Sequence, residues 1–103
     1  MNIQDKVLDY VYAWEAKDQY VIPDLADCLD FMMTEVSEAI EKRLRTKLYV
    51  RNNPEPIPSK EEIAIEVFDA IMMGCIALDL LGFDLDEVAD KKLRYMDDKR
   101  RSE

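Results

Sequence analysis

Histidine is absent from this 103-residue sequence. That removes Ser-His and Cys-His nucleophile systems, zinc-histidine sites and the Glu-x-x-His pattern of di-iron helical bundles. Cysteine is scarce: Cys28 and Cys75 lie far apart among apolar neighbours, so buried free thiols are expected and neither a disulfide nor a zinc site is. No apolar run approaches the roughly 20 residues that span a bilayer, and the start, MNIQDKVLDY, has neither a basic opening nor a signal-like apolar segment. A cytoplasmic location and no membrane partner are the expectation. Clustered positive charge is lacking too. A net charge of -9 disfavours sequence-independent nucleic-acid binding, which needs cations on phosphates. Strand patterns, internal repeats and low-complexity segments are missing as well. Any chemistry here must run on carboxylates, Lys, Arg or Tyr.

What is present suits an ordinary globular domain: 49% of the residues are hydrophobic and 36% charged, which excludes a disordered class. Residues 1–103 read as one domain, small enough that oligomerisation would help bury its apolar surface. Ile3, Val7, Tyr10, Val11 and Trp14 recur at helical spacing over 3–16. Pro23 suits the first turn of a second helix, whose apolar period runs through Leu25, Leu29, Met32, Val36, Ile40 and Leu44 to about Leu48. RNNPEPIPS, with prolines at 54, 56 and 58, reads as an extended connector. Ser59 and Glu62 form a capping box that opens a third helix through Ile63, Val67, Ile71 and Leu78 to Leu81, closed by Gly82. Asp84 and Glu87 then start a fourth helix, which ends in a basic stretch. The fold class is all-α, with four helices.

Two short stretches interrupt these apolar stripes with acids. MMTEVSEAI carries Glu35 and Glu38, and AIEVFDAIMM carries Glu66 and Asp69. Residues three apart on a helix are about 60° apart around its axis, so each pair forms one carboxylate platform, and Glu62 lies one turn before Glu66 on the same side. If the second and third helices pack antiparallel, the platforms face each other across a narrow gap. Four carboxylates so placed need protons or cations. Oxygen-only ligands select Mg²⁺, with Mn²⁺ or Ca²⁺ as substitutes, and Mg²⁺ commonly bridges to phosphate oxygens. Acids at this spacing are also common on solvated faces, where Glu41, Lys42 and Arg45 would be their neighbours in ordinary surface bridges.

EVSE followed by EVFD, with residues 39–65 between them, resembles the Glu-x-x-Glu, spacer, Glu-x-x-Asp signature of the MazG-like all-α nucleoside triphosphate pyrophosphohydrolases. The likeness covers most of the chain, down to a final stretch, LGFDLDEVADKKLRYMDDKR, similar to the family's common ending. It implies a four-helix MazG-like bundle completed as a homodimer or tetramer. It also implies Mg²⁺-dependent attack of water on the α-phosphorus of a nucleoside triphosphate, releasing the monophosphate and pyrophosphate. By position, Glu35, Glu38, Glu66 and Asp69 would hold metal, and Glu62 is a candidate extra ligand or general base. Lys91, Lys92 and Arg94, with Lys99 next, are candidates for the β- and γ-phosphates, or they simply complement the helix dipole. Met96 stands where relatives often have asparagine. Trp14, with Tyr10 and Phe31, is a candidate for stacking on a base, although aromatics at helical spacing usually belong to the core. Lys47 and Arg51 are further phosphate candidates. The alternatives are a phosphoribosyl-ATP pyrophosphohydrolase, and a non-catalytic nucleotide-binding or helical interaction module.

Overall fold

The computed structural model describes residues 2–47 and 58–102. It consists of four helices, α1 (Ile3–Glu15), α2 (Leu25–Lys47), α3 (Lys60–Leu80) and α4 (Leu85–Arg101), with no strand among the described residues. Every described helix start has a side-chain cap. Asn2 accepts from the Asp5 amide at 2.8 Å, Asp24 from Asp27 at 2.8 Å, Ser59 from Glu62 at 3.1 Å, and Asp84 from Asp86 and Glu87 at 2.9 and 3.2 Å. A cap of this kind contributes about 1 kcal/mol by satisfying an amide that has no intrahelical partner. Asp24 therefore opens α2, and Pro23 precedes the cap instead of occupying the first turn. α3 closes as the Gly82 pattern predicts. Gly82 adopts φ +83°, its amide donates to the Asp79 carbonyl, and the Phe83 amide donates to Leu78, both at 2.9 Å.

The chain divides into two compact units. The first comprises Met1–Ile22 and Cys75–Glu103, thus α1, the last turns of α3, and α4. Its buried residues are Val7 and Val11 on α1 and Cys75, Ile76 and Ala77 on α3. Gln4 is buried among them, only 3% exposed, and uses its whole amide. Its Nε2 donates to the carbonyls of Cys75 at 3.4 Å and Phe83 at 3.1 Å, and its Oε1 accepts from the Leu85 amide at 2.8 Å. One side chain on α1 thus holds the turn between α3 and α4 and supplies a partner to the first residue of α4. Tyr12 adds a bond of 2.6 Å to the Asp79 carboxylate. That bond is the main reason its phenol is held above the usual range.

The second unit, Pro23–Gly74, contains α2 and most of α3. The two helices run antiparallel, because residues early in α2 meet residues late in α3 and the reverse. A Cβ at Gly74 would stand 3.4 Å from the Met32 methyl, while Lys42 reaches Glu66. Cys28 is fully buried, and both cysteines are free thiols. The apolar stripes of this pair are only partly used. Val36, Ile40, Val67 and Ile71 remain between 45 and 49% exposed and, with Met32 and Ile63, line an open apolar groove of about 420 Å³. The periodicity places them on one side of each helix, but the single chain does not cover them. No helix among the described residues is long and apolar enough to cross a membrane.

Candidate metal centre

The antiparallel register of α2 and α3 brings three of the predicted acids together. Glu35 and Glu38 extend from α2 and Glu66 from α3, and one carboxylate oxygen of each lies within 4.8 Å of the others. Glu35 and Glu66 are half-buried, whereas Glu38 is exposed. Asp69 is not part of this trio. An aspartate is one methylene shorter than a glutamate, so equal helix spacing does not give equal reach. Its charge is nonetheless felt, since Asp69 is one of the groups that raise the Glu35 pKa. Glu62 lies exposed in the first turn of α3, where its charge acts on Lys42.

The cluster divides its charge unequally. Glu35 is pushed up to about 7, first by burial, then by a hydrogen bond that its proton makes with Glu66, then by the charges of Glu38, Asp69 and Glu66. Glu38 is raised as well, chiefly through its hydrogen bond with Glu66. Glu66 moves the other way. The Lys42 ammonium stands 2.5 Å from its Oε1 and holds it below the usual carboxylate range, while Lys42 is itself raised by the same contact. Oε2 of Glu66 is buried with no amide, hydroxyl or ammonium donor, and Glu66 accepts from the carboxyls of Glu35 and Glu38. The sequence offers Lys42 as a neighbour for the acids in ordinary surface bridges; that its partner is Glu66 on α3 follows from the packing.

These residues fit a hard divalent cation. The donors are all carboxylate oxygens, as Mg²⁺ or Mn²⁺ prefer. A cation there would replace the proton on Glu35 and relieve the like-charge crowding.

Of the remaining predicted residues, Phe31 belongs to the second unit and the others to the first unit or to undescribed positions. Trp14 is half-buried, with Tyr10 at 6.1 Å between ring centroids and the Lys17 ammonium 5.1 Å from its ring, so one neighbour is already a cation. Lys91 and Lys92 line a recess with Phe83, Glu87 and Val88, and Lys92 also stands 5.1 Å over Tyr95. Arg94, Met96 and Lys99 are exposed along α4. Phe31, on α2, is 48% exposed. The Lys47 side chain, Arg51 and the prolines at 54 and 56 lie outside the described residues.

Compared with known proteins, the chain matches no family model, no curated protein and no solved structure.

Proposed function

We propose that the chain is a Mg²⁺-dependent nucleoside triphosphate pyrophosphohydrolase of the MazG-like kind, acting in the cytoplasm. The observation that carries this reading is the carboxylate trio built across two antiparallel helices, with one carboxylate oxygen of each acid within 4.8 Å of the others.

In this reading Glu35, Glu38 and Glu66 would hold the metal, Asp69 would adjoin them, and Mn²⁺ could substitute. When bound, the metal supplies charge neutralisation for the triphosphate and a lower pKa for a coordinated water. Water adds to the α-phosphorus, the bond from that phosphorus to the bridging oxygen breaks, and pyrophosphate leaves. The proton lost by the water passes to a carboxylate, for which Glu62 is the candidate base because it is exposed and one turn from Glu66. Lys91, Lys92 and Arg94 are the cations proposed for the outer phosphates, and Trp14 for the base.

The same proposal includes a homodimer. Two copies that cover the exposed groove of α2 and α3 would remove Val36, Ile40, Val67 and Ile71 from water, at about 25 cal/mol per Å² of apolar surface.

The test is pyrophosphate release from a panel of ribo- and deoxyribonucleoside triphosphates, with Mg²⁺ and with chelator, identifying the second product. Metal-dependent formation of monophosphate, abolished in a folded Glu38→Gln variant, is the expected result. Failure of every triphosphate with folded protein would move the assignment to phosphoribosyl-ATP or to a binding role. Full activity in Glu38→Gln would refute the site.

A further inference from the structure

Lys42 sits within the acidic cluster, and its position there is not accounted for by the pyrophosphohydrolase reading. Its ammonium lies 2.5 Å from Oε1 of Glu66, on the one acid of the trio that comes from α3. Glu38 is one turn earlier on the same helix, and Glu62 and Glu66 face Lys42 from α3, so three carboxylates act on one cation. The contact takes one oxygen of Glu66 and leaves the other buried with no nitrogen or hydroxyl donor. A divalent ion shared by Glu35, Glu38 and Glu66 would place two positive charges beside this ammonium. Two cations cannot both be held at close range by the same carboxylate without a like-charge penalty.

We propose that Lys42 is the cluster's resident counter-ion and competes with the divalent ion for Glu66, so that metal binding requires the ammonium to swing away. This rests on the metal-site reading above. The side chain is suited to the role: it is 27% exposed, against 12% for Glu66, so solvent is open to its head group. Lysine carries a compact charge on a flexible four-carbon stem and makes one point contact, unlike the rigid two-pronged fork of arginine. Displacement therefore loses one partly exposed ion pair without disturbing the helices.

The experiment is titration of Mn²⁺ alone into wild type, Lys42→Gln and Lys42→Arg, read by calorimetry and by the loss of free Mn²⁺ signal in electron paramagnetic resonance. Lys42→Met, which keeps most of the stem, serves if the glutamine variant folds poorly. Removing the charge should tighten Mn²⁺ binding roughly two- to fivefold, the scale of one competing exposed ion pair. Lys42→Arg should bind no more tightly than wild type. In chelator, Lys42→Gln should melt below wild type, and saturating Mn²⁺ should close that gap, which a solvating surface lysine would not do.

Saturable binding to wild type with equal or weaker binding to the glutamine and methionine variants would overturn the proposal and leave the metal site standing. No saturable Mn²⁺ binding to wild type or to any charge-removing variant would overturn the metal site itself, and this inference with it.

Discussion

Metal affinity should be strongly pH-dependent across neutrality, because the ion must displace a proton from Glu35. That carboxyl is raised to about 7 by burial and by its acidic neighbours. A group of this pKa leaves the site competent in proportion to its ionised fraction. Relative to the fully ionised site, the apparent dissociation constant should rise about twofold at pH 7 and roughly elevenfold at pH 6, and be nearly unchanged at pH 8. Proton release should follow the same curve, about 0.9 per ion at pH 6 and ~0.1 at pH 8. Calorimetric titration of Mg²⁺ or Mn²⁺ in buffers of different ionisation enthalpy measures both quantities. The sign for folding is fixed by the same shift. Between pH 4.5 and about 7 the folded chain keeps a proton on Glu35 that the unfolded chain has lost. Metal-free stability from this group is therefore full below that window and is lost as pH rises through 7. Glu66, held low by Lys42, contributes in the opposite sense: its share is present above the ordinary carboxylate pKa and is lost as pH falls through its lower folded value. Saturating Mg²⁺ should raise the melting temperature more at pH 8 than at pH 6, and Glu35→Gln should remove most of that difference. A binding constant that does not change between pH 6 and pH 8, or no proton release at pH 6, would refute the reasoning.

Three further outcomes are expected. Gln4→Ala strips partners from two carbonyls and the Leu85 amide, at a cost of about 2–3 kcal/mol, and should lower the melting temperature by roughly 10 °C or more. Gln4→Glu, which can accept but not donate, should be similarly damaging at neutral pH, as thermal melts would show. Gly82→Ala meets no atom within 4 Å, so its penalty is the left-handed backbone alone, about 1 kcal/mol, and Gly82→Asn should be milder in chemical denaturation. Replacing Val67 and Ile71 together by glutamate should leave the chain helical by circular dichroism yet convert a dimer to monomer by sedimentation; a wild-type monomer would refute the dimer directly.

Much of the helix order was legible in the sequence because the signals were local. Ser59 with Glu62, Asp84 with Glu87, and Gly82 each act within one turn, so their positions translate directly into ends. The meeting of Glu35, Glu38 and Glu66 was legible only given antiparallel packing, which the connector permits but does not dictate. Asp69 shows the limit of spacing as a guide: it gives the direction of a side chain from a helix, not how near its carboxylate comes to the others. Lys42 was ambiguous for a related reason, since a lysine four residues after Glu38 looks like an exposed bridge within α2. Gln4 gave no signal at all. A glutamine two residues after a helix cap is ordinary, and its burial is set by a turn some 80 residues away. The stripe of Val36, Ile40, Val67 and Ile71 was recognised as apolar, but periodicity cannot distinguish a face that packs within the chain from one awaiting another molecule.

Because the Lys42 ammonium is part of the polypeptide, it arrives with the chain as α2 and α3 come together. A cluster of glutamates that depended on a free ion would tie the maturation of the protein to the supply of that ion, as happens in small metal-nucleated domains. On the proposed reading, the helical pair would complete itself without magnesium, and loading the metal would be a separate, reversible event in the lifetime of an already folded molecule.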